Sequence, residues 1–487
     1  MGFAWSETIA AIWGVLGLGL FFYQQSLLNK LWHKALLSFV TGFSGYGIAC
    51  FWLPDSVQYL TGANQIVSIL VAGIAVAYQS MVFVIFAWVM HLLAKFKWAF
   101  VATPAVWFFT EQLFPMFYPS HVGHLLADHP NLCQIAELGG SAFVSLQAAT
   151  IAFCFSTLPG FIPRFTWNSD GSSQRKLILS TAIVAVVLCG ISWGNTRLKE
   201  IETKIDRASL AADSSNLLVV QAQTERKSSH RRMLAAAKQV GSNADLVIWP
   251  ECAIGQYDQT LTDFSDSEKV KDKTRGKKCP QNPFPGGETC LLAGGDSYVE
   301  CEGVNREYVS AFLFDASQTC IGRHDKIELM PGGEYIPFES IFPSIRTLIG
   351  SDRIISRGKS AQPIGSVNGM NVGTLLCCED MHPRLARSMT NNGAHLLVSI
   401  GNGVAFKSVV ALNQHFRISK MRSIENRKFF VRGNSHGVSA VVSPSGKTIN
   451  SIPSMEDNAM LVSVPRVNLG RTMFGKYGEF IPWTIGI

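Results

Sequence analysis

Six long apolar stretches fill the first 193 residues of the chain, and they constrain its fold more than any other feature. They are residues 8–28, 35–53, 66–93, 98–114, 135–161 and 177–193. Each approaches or exceeds the roughly 17–25 residues that cross a hydrocarbon core about 30 Å thick. Six such runs in succession are too many for the buried helices of a soluble protein. We therefore expect a transmembrane domain of about six helices over residues 1–194.

The positive charges of this half indicate its orientation. Before residue 194 the basic residues are Lys30, Lys34, Lys95, Lys97, Arg164, Arg175 and Lys176. They follow the first, third and fifth stretches, and the other connections carry no Lys or Arg. Because positively charged loops stay in the cytoplasm, we expect the N-terminus and everything beyond residue 194 on the periplasmic side of a bacterial inner membrane. Glu111, a carboxylate within a span, is a functional candidate because an unpaired acid in lipid is costly.

Residues 195–487 have a different pattern, in which short apolar runs alternate with amphipathic segments. The runs that predict buried strands are 217–223, 244–249, 291–299, 308–314, 372–377, 395–400 and 439–442. The segments that predict helices are 226–240, 383–392 and 409–428. Strands bounded by helices over this length indicate one layered α/β domain.

Three residues of this second domain have settings that suit catalysis. Glu251 directly follows a buried strand and a proline, Lys326 precedes a glycine-rich loop that contains Glu334, and Cys377 ends an apolar strand. A thiol becomes a competent nucleophile when a carboxylate takes its proton and a cation stabilises the developing charge. Lys326, together with a backbone N–H after the nucleophile, can hold a tetrahedral oxyanion.

Composition excludes several other classes of function. The net charge of +7 is modest and forms no basic stripe with interleaved aromatic residues, so we expect no nucleic-acid partner. The eleven cysteines include no CxxC pair, so no metal site is predicted. Four cysteines of the predicted periplasmic domain can either pair or remain free thiols: Cys279, Cys290, Cys301 and Cys320.

The catalytic candidates lie within motifs that resemble those of the nitrilase superfamily and, more narrowly, its membrane branch, the apolipoprotein N-acyltransferase family. The matching segments of the second domain are 249–251, 324–326, 331–337, 376–379, 422–426, 431–434 and 437–441. Residues 104–107, which end at Trp107, and Glu111 match the same branch in the membrane half. The sequence departs from the branch at Cys378, where the family usually has Tyr, and over residues 402–406.

The resemblance implies an αββα sandwich beside a helical bundle, without metal or cofactor. Cys377 would take an acyl chain from a phospholipid as a thioester, and the N-terminal amine of a diacylglyceryl-cysteine lipoprotein would accept the chain. Glu251 would be the base, Lys326 would stabilise the oxyanions and Glu334 would orient Lys326. Residues implied to support the oxyanion or surround the catalytic group are Cys378, Glu379, Glu425 and Arg432, and the membrane-half candidates are Trp107 and Glu111.

Three other interpretations stay open at the level of sequence. The chain also resembles the conjugal-transfer TraB group, a second membrane-bound family with a nitrilase-like domain. A membrane-anchored C–N hydrolase would use water in place of the amine and act on a small amide or nitrile. A scaffold that keeps the fold without the chemistry would tolerate replacement of Glu251 or Cys377.

Overall fold

The structure is a computed structural model of the 487-residue chain. It describes residues 7–96, 98–157, 172–211, 213–222, 235, 237–238, 240, 243–253, 256–257, 288–301, 304–317, 319–336, 339 and 355–479. The chain divides into two compact units. The helical unit contains residues 1–54, 66–201 and 472–487, and the α/β unit contains residues 55–65 and 202–471.

The helical unit is built from the apolar stretches of the N-terminal half. Its described helices are α1 (Glu7–Leu27), α2 (Leu31–Ala49), α3 (Leu53–Thr61, most of which belongs to the α/β unit), α4 (Gln65–Leu93), α5 (Thr103–Leu113), α6 (Pro130–Cys133), α7 (Ala136–Gly139), α8 (Ser141–Ser156), α9 (Ser172–Leu210, which continues into the α/β unit) and, near the C-terminus, α13 (Met473–Tyr477). Aromatic side chains form much of its interior. The Trp107 ring packs edge-on against Phe21, Phe83 and Phe86.

The expected six spans are only partly matched by helices. Two described helical segments, Gln65–Leu93 and Thr181–Leu210, are long and apolar enough to cross a membrane. A third crossing is added if α2 and α3, which are bent by 65°, count as one broken span. The predicted span 98–114 contains a helix of only 11 residues, which at 1.5 Å per residue is about 16 Å long. Residues 158–161, at the end of the fifth predicted span, lie outside the described residues.

Two β-sheets make up most of the α/β unit. The strands are β1 (Ser214–Gln221), β2 (Leu246–Ile248), β3 (Gln256–Tyr257), β4 (Cys290–Cys301), β5 (Val304–Phe314), β6 (Cys320–Asp325), β7 (Gly365–Val367), β8 (Met370–Leu376), β9 (Leu396–Gly401), β10 (Phe429–Asn434), β11 (Ser439–Val442), β12 (Thr448–Ile452) and β13 (Asn458–Pro465). The first sheet has the order β13-β1-β2-β4-β5-β6, with β3 beside β4, and the second has the order β12-β11-β10-β9-β8-β7.

The sheets share one apolar core because successive side chains of a strand point to opposite faces. Along β1, Leu217 and Val219 pack in the same cluster as Val372 and Val398 of the second sheet. Leu218 and the other alternate residues of β1 pack in a separate cluster on the outer face. This pattern gives both sheets a buried inner face.

Helices α10 (Pro383–Asn391), α11 (Val409–Ser419) and α12 (Met421–Asn426) follow strands of the second sheet. Leu385 and Met389 of α10 pack against Leu375 and Leu397, so this helix covers the outer face of that sheet. The predicted helix 226–240 lies almost entirely outside the described residues. The layered α/β architecture expected for this half is confirmed, and six transmembrane helices are not.

Parallel strands bring the candidate residues to one end of the sandwich. β1, β2 and β4 are mutually parallel neighbours, as are β8, β9 and β10. The carboxyl ends of parallel neighbours lie at the same edge of a sheet. Glu251 follows β2, Cys377 follows β8 and Asn402 follows β9.

Candidate active site

Glu251, Lys326 and Glu334 form a buried ionic cluster. The Nζ atom of Lys326 donates to Oε1 of Glu251 at 3.2 Å and to Oε1 of Glu334 at 2.6 Å. Lys326 is 1% exposed, so its ammonium is almost completely removed from water. Burial alone would lower the pKa of Lys326, but Glu251 and Glu334 outweigh burial and hold this pKa well above its usual value. The lysine is therefore a fixed cation at the centre of the cluster.

Cys377 is the thiol of this cluster. It is buried, and its side chain is a hydrogen-bond partner of the Glu251 carboxylate. Burial is the main cause that raises the pKa of the Cys377 thiol, and the negative charge of Glu251 raises it further. The resting group is thus a neutral thiol beside a carboxylate that can take its proton.

Glu251 has the properties of a base that is held in place. Burial raises its pKa above the ordinary carboxylate value, although the charge of Lys326 opposes the rise. Its second oxygen, Oε2, accepts the N–H of Asn402 at 3.0 Å. A β-carbon on Gly294 would lie 2.7 Å from the Glu251 Cα, so only glycine fits in the neighbouring strand. A carboxylate with a raised pKa accepts a proton near neutral pH more readily than an ordinary one.

The backbone at Cys377 is itself unusual. Its φ angle is +49°, in the left-handed region that non-glycine residues rarely adopt. Such a conformation costs on the order of 1–3 kcal/mol and is typical of functional sites. Gly401 lies beside this turn: a β-carbon there would lie 3.4 Å from the Cys377 Cα, an ordinary contact, but only 2.7 Å from Nδ2 of Asn434. Cys377 therefore begins a short 3-10 turn, Cys377–Met381, in a fixed and strained geometry.

Cys378 points elsewhere. Its Sγ atom donates to the backbone carbonyl of Glu328 at 3.3 Å, and burial is the main cause that raises its pKa. The adjacent thiol is thus occupied by a structural contact, whereas that of Cys377 faces Glu251.

Glu379 binds the segment that carries Lys326. Oε1 accepts the N–H of Ile327 at 2.6 Å and that of Glu328 at 3.2 Å, and Oε2 accepts the N–H of Leu376 at 2.8 Å. The Nε2 atom of His324 lies 3.0 Å from Oε2. One buried carboxylate therefore fixes the strand before Cys377 relative to the residues on both sides of Lys326.

Glu425 and Arg432 pair with residues of, or next to, the turn that begins at Cys377. Glu425 pairs with Arg422 at 2.8 Å, and Arg422 donates to the carbonyl of Met381 at 3.1 Å. Arg432 donates from Nε to Asp380 at 3.2 Å. Both residues support the turn that begins at Cys377.

Sequence reasoning missed two contributors to this site. Asp380 also contacts His415 Nε2 at 2.6 Å and accepts from Ser399 Oγ at 2.8 Å, so it joins four elements. The N–H of Asn402 bonds Glu251 and, in addition, the Cys377 thiol. Asn402 follows a predicted strand just as Glu251 and Cys377 do, and that position is the signal that identifies it.

The membrane-half candidates belong to the helical unit. Trp107 is an interior aromatic residue there, and Glu111 accepts the N–H of Val122 at 2.7 Å. His121 lies 3.7 Å from the other oxygen of Glu111. Both residues therefore have local structural partners. Of the four cysteines considered for pairing, Cys290 carries a free thiol and the Cys320 sulfur donates to the carbonyl of Gly322 at 3.4 Å, whereas Cys279 and the side chain of Cys301 lie outside the described residues.

Residues 55–65, which we call the docking segment, belong to the α/β unit and contact two of its loops. Ser56 donates to the carbonyl of Phe406 at 3.4 Å, and the Nζ atom of Lys407 lies 4.4 Å from the centre of the Tyr59 ring. A β-carbon on Gly333 would lie 3.0 Å from Leu60. The segment thus touches the loop that follows Asn402 and the loop that carries Glu334.

Comparisons with known proteins agree with this organisation. Residues 208–473 match the carbon-nitrogen hydrolase family, and residues 1–154 match the apolipoprotein N-acyltransferase N-terminal domain. An apolipoprotein N-acyltransferase of Geobacter metallireducens is 26% identical over 461 residues, which cover 92% of this chain and 84% of that protein. One of Vibrio cholerae is 22% identical and covers 91% of this chain and 84% of its own length.

Among solved structures, an amidase from Nesterenkonia is 14% identical, with a TM-score of 0.35, over 52% of this chain and 92% of that one. The match over residues 208–473 covers more than half of the 487 residues and contains Glu251, Lys326, Glu334 and Cys377. The chain is therefore a member of the carbon-nitrogen hydrolase family, joined to an N-terminal domain of the apolipoprotein N-acyltransferase type.

Proposed function

We propose that this protein is an apolipoprotein N-acyltransferase that works through a thioester on Cys377. The observation that carries the proposal is a Glu251–Lys326–Cys377 cluster in one chain with a helical unit of the acyltransferase type. A hydrolase of small soluble amides has no need of an apolar N-terminal half. The curated relatives that bear this name match more than nine-tenths of the chain.

In the first stage, the Cys377 sulfur attacks the ester carbonyl of a phospholipid while its proton passes to Glu251. The new S–C bond and the broken ester C–O bond leave a thioester and a lysophospholipid alkoxide, and Glu251 returns the proton to that alkoxide. The ammonium of Lys326 stabilises the negative oxygen of the tetrahedral intermediate. Glu334, at 2.6 Å, keeps this ammonium in place.

In the second stage, the N-terminal amine of a diacylglyceryl-cysteine lipoprotein attacks the thioester. Glu251 takes a proton from the amine, an amide bond forms, and the Cys377 thiolate leaves and regains the proton. One base thus serves both half-reactions because each begins with proton loss from the nucleophile.

We further propose that the helical unit crosses a bacterial inner membrane six times, with the α/β unit on the periplasmic side. The proposal is supported by the restriction of Lys and Arg to alternate connections. A reporter fused after residue 62 and a second fused after residue 96 test it. The proposal expects periplasmic activity from the first fusion and cytoplasmic activity from the second, and the reverse pattern overturns it.

The decisive experiment for the reaction uses an alkyne-labelled phospholipid and the purified full-length protein. We expect label on Cys377 that hydroxylamine releases, loss of this label in Cys377→Ala, and its retention in Cys378→Ala. Addition of a diacylated lipopeptide should move the label to the peptide amine. Label on Cys378 would show that the wrong thiol was assigned.

A thioester that passes to water with the lipopeptide present would favour the membrane-anchored hydrolase instead. Complementation of a strain depleted of its own apolipoprotein N-acyltransferase, with Cys377→Ala as the control, tests the acceptor in cells. If the chain rescues growth equally with Ala at position 377, the scaffold interpretation is favoured. The conjugal-transfer interpretation expects lipid-dependent labelling without rescue.

A further inference from the structure

A cavity of about 500 Å³ lies within the α/β unit, at the end of the sandwich opposite to Cys377. Residues at its wall precede or begin β8, β9 and β10, and Val464 and Pro465 end β13. Cys377 and Asn402, by contrast, follow the carboxyl ends of β8 and β9. The proposed acyl-transfer chemistry therefore leaves this cavity without a role.

The ionisable side chains of the cavity wall are all basic. Lys428, Arg427, Arg466 and His395 all line it, and no described lining residue is Asp or Glu. Among the described residues, the Lys428 ammonium has no hydrogen-bond or ion-pair partner, and burial lowers the pKa of Lys428. The charges of Lys428 and Arg466 also lower the pKa of His395, although burial is the larger cause. A positive potential in a half-enclosed space favours an anion.

Several donors at the wall remain available to a ligand. The backbone N–H of Asn371 donates a hydrogen bond to Nδ1 of His395 at 3.0 Å. Because Nδ1 is the acceptor, the neutral ring carries its proton on Nε2. Arg466 pairs through Nε with the exposed Asp213 at 3.3 Å and through Nη2 with the carbonyl of Asn368, which leaves Nη1. The Thr390 hydroxyl is buried at this wall and has no hydrogen-bond partner among the described residues.

Apolar side chains form another part of the wall. Met370, Phe429, Val464 and Val467 line it. The volume exceeds what a bare phosphate ion fills and leaves space for an organic group beside the charged donors. Arginine and lysine side chains are the usual partners of phosphoryl oxygens in proteins.

We propose that this cavity binds a phosphoryl group that carries a small organic moiety, either as a soluble phosphate ester or as the headgroup of an anionic phospholipid. Lys428 and Arg466 contact the phosphoryl oxygens, His395 donates from Nε2, and the apolar wall takes the organic part. The site is separate from the cysteine chemistry, so its occupancy does not depend on the proposed acyl transfer.

Glycerol 3-phosphate titrated into the full-length protein in a neutral detergent, at constant ionic strength, tests the proposal. We expect saturable binding that weakens at least tenfold in Lys428→Met and in Arg466→Met. The matched control is Lys204→Met, an exposed lysine of the same unit that is absent from the cavity wall, and it should bind like the wild type. Equal affinity in the wild type and Lys428→Met, or no saturable binding in any medium, overturns the proposal.

The source of the phosphoryl group is resolved in nanodiscs. The titration is repeated in phosphatidylcholine alone and in an equal mixture of phosphatidylcholine and phosphatidylglycerol. If the headgroup is the natural occupant, phosphatidylglycerol competes and raises the apparent Kd for glycerol 3-phosphate, and this competition disappears in Lys428→Met. An unchanged Kd supports a soluble ester. Without ligand, the thermal unfolding midpoint of Lys428→Met should be no lower than that of the wild type, which shows that the variant folds.

Discussion

The Glu379 carboxylate accepts the backbone N–H of Ile327 at 2.6 Å, although the two residues are 52 positions apart in the chain. Through this bond and its other hydrogen bonds, Glu379 anchors both the strand that ends before Cys377 and the segment that contains Lys326. The relative position of Cys377 and Lys326 is therefore set by a residue that touches neither reacting atom.

Replacement of Glu379 should lower the stability of the fold. Glu379→Ala leaves three backbone N–H groups and His324 without their acceptor, and removal of one partner from a buried charged network costs about 3–5 kcal/mol. We expect a clear fall in the thermal unfolding midpoint, and a smaller fall for Glu379→Gln, whose amide oxygen still accepts. Glu456→Ala, at an exposed position, is the control. If Glu379→Ala unfolds at the temperature of this control, the anchoring role is wrong.

The two effects of Glu251 on Cys377 can be separated by pH. Its charge raises the pKa of the thiol, whereas in the proposed mechanism its basicity speeds acyl transfer. We expect Glu251→Gln to shift the pH profile of Cys377 alkylation by iodoacetamide to lower pH, because a negative neighbour is removed. The same variant should lose about 10²–10⁴-fold in the rate of lipid acylation.

Mass spectrometry in a Cys378→Ser background measures the alkylation at a single thiol, because position 378 then contributes none. Serine keeps a donor for the Glu328 carbonyl. A profile that moves to higher pH in Glu251→Gln would contradict the assigned charge effect. An unchanged acylation rate would contradict the role of Glu251 as base.

Asp380 should stabilise the fold in a pH-dependent way. Burial would raise its pKa, but His415, Arg432 and Ser399 outweigh burial and hold the pKa below the ordinary aspartate value. A carboxyl group whose pKa is lower in the folded protein than in the unfolded chain stabilises the fold. This stability is fully present above about pH 3.9, the pKa in the unfolded chain, and is lost as the pH falls through the pKa in the folded protein. The stability difference between the wild type and Asp380→Asn should therefore be largest above about pH 5 and shrink below pH 4. Thermal midpoints across this range measure it, and the exposed Asp457→Asn should show no such trend.

The contact between Tyr59 and Lys407 should be a measurable part of the docking. A cation over an aromatic ring at an exposed site contributes about 0.5–1 kcal/mol. In a double-mutant cycle with Tyr59→Leu and Lys407→Met, we expect a coupling energy of that size. Effects on unfolding that simply add would show that the ring and the ammonium do not interact.

Strand ends were the most informative part of the sequence. Glu251 and Cys377 follow apolar runs that form β2 and β8, so their convergence follows from the parallel order of the strands. The network around Asp380 was not predictable in the same way. Its contact with His415 joins residues 35 positions apart on a turn and a helix, and neither residue has a distinctive local pattern.

Element boundaries were harder to predict where one pattern runs into the next. The predicted helix 409–428 is two helices, Val409–Ser419 and Met421–Asn426, and Arg427 ends the second with a φ of +50°. The strand Phe429–Asn434 follows within three residues of that helix. Its apolar start therefore looks like a continuation of the apolar pattern of the helix. The sequence did not predict the edge strand Thr448–Ile452. Four of its five residues are exposed, and Ile449 is the only apolar residue among those four.

The docking segment determines where the chain can be divided into separate fragments. Residues 55–65 are encoded between two helices of the N-terminal half, yet they pack with the unit that contains the thiol. A shortened protein that starts at residue 195 would uncover the loops at Gly333 and Phe406 and would lack the partner of Lys407. A fragment cut between residues 194 and 195 would therefore lack residues 55–65, which the α/β unit needs to be complete.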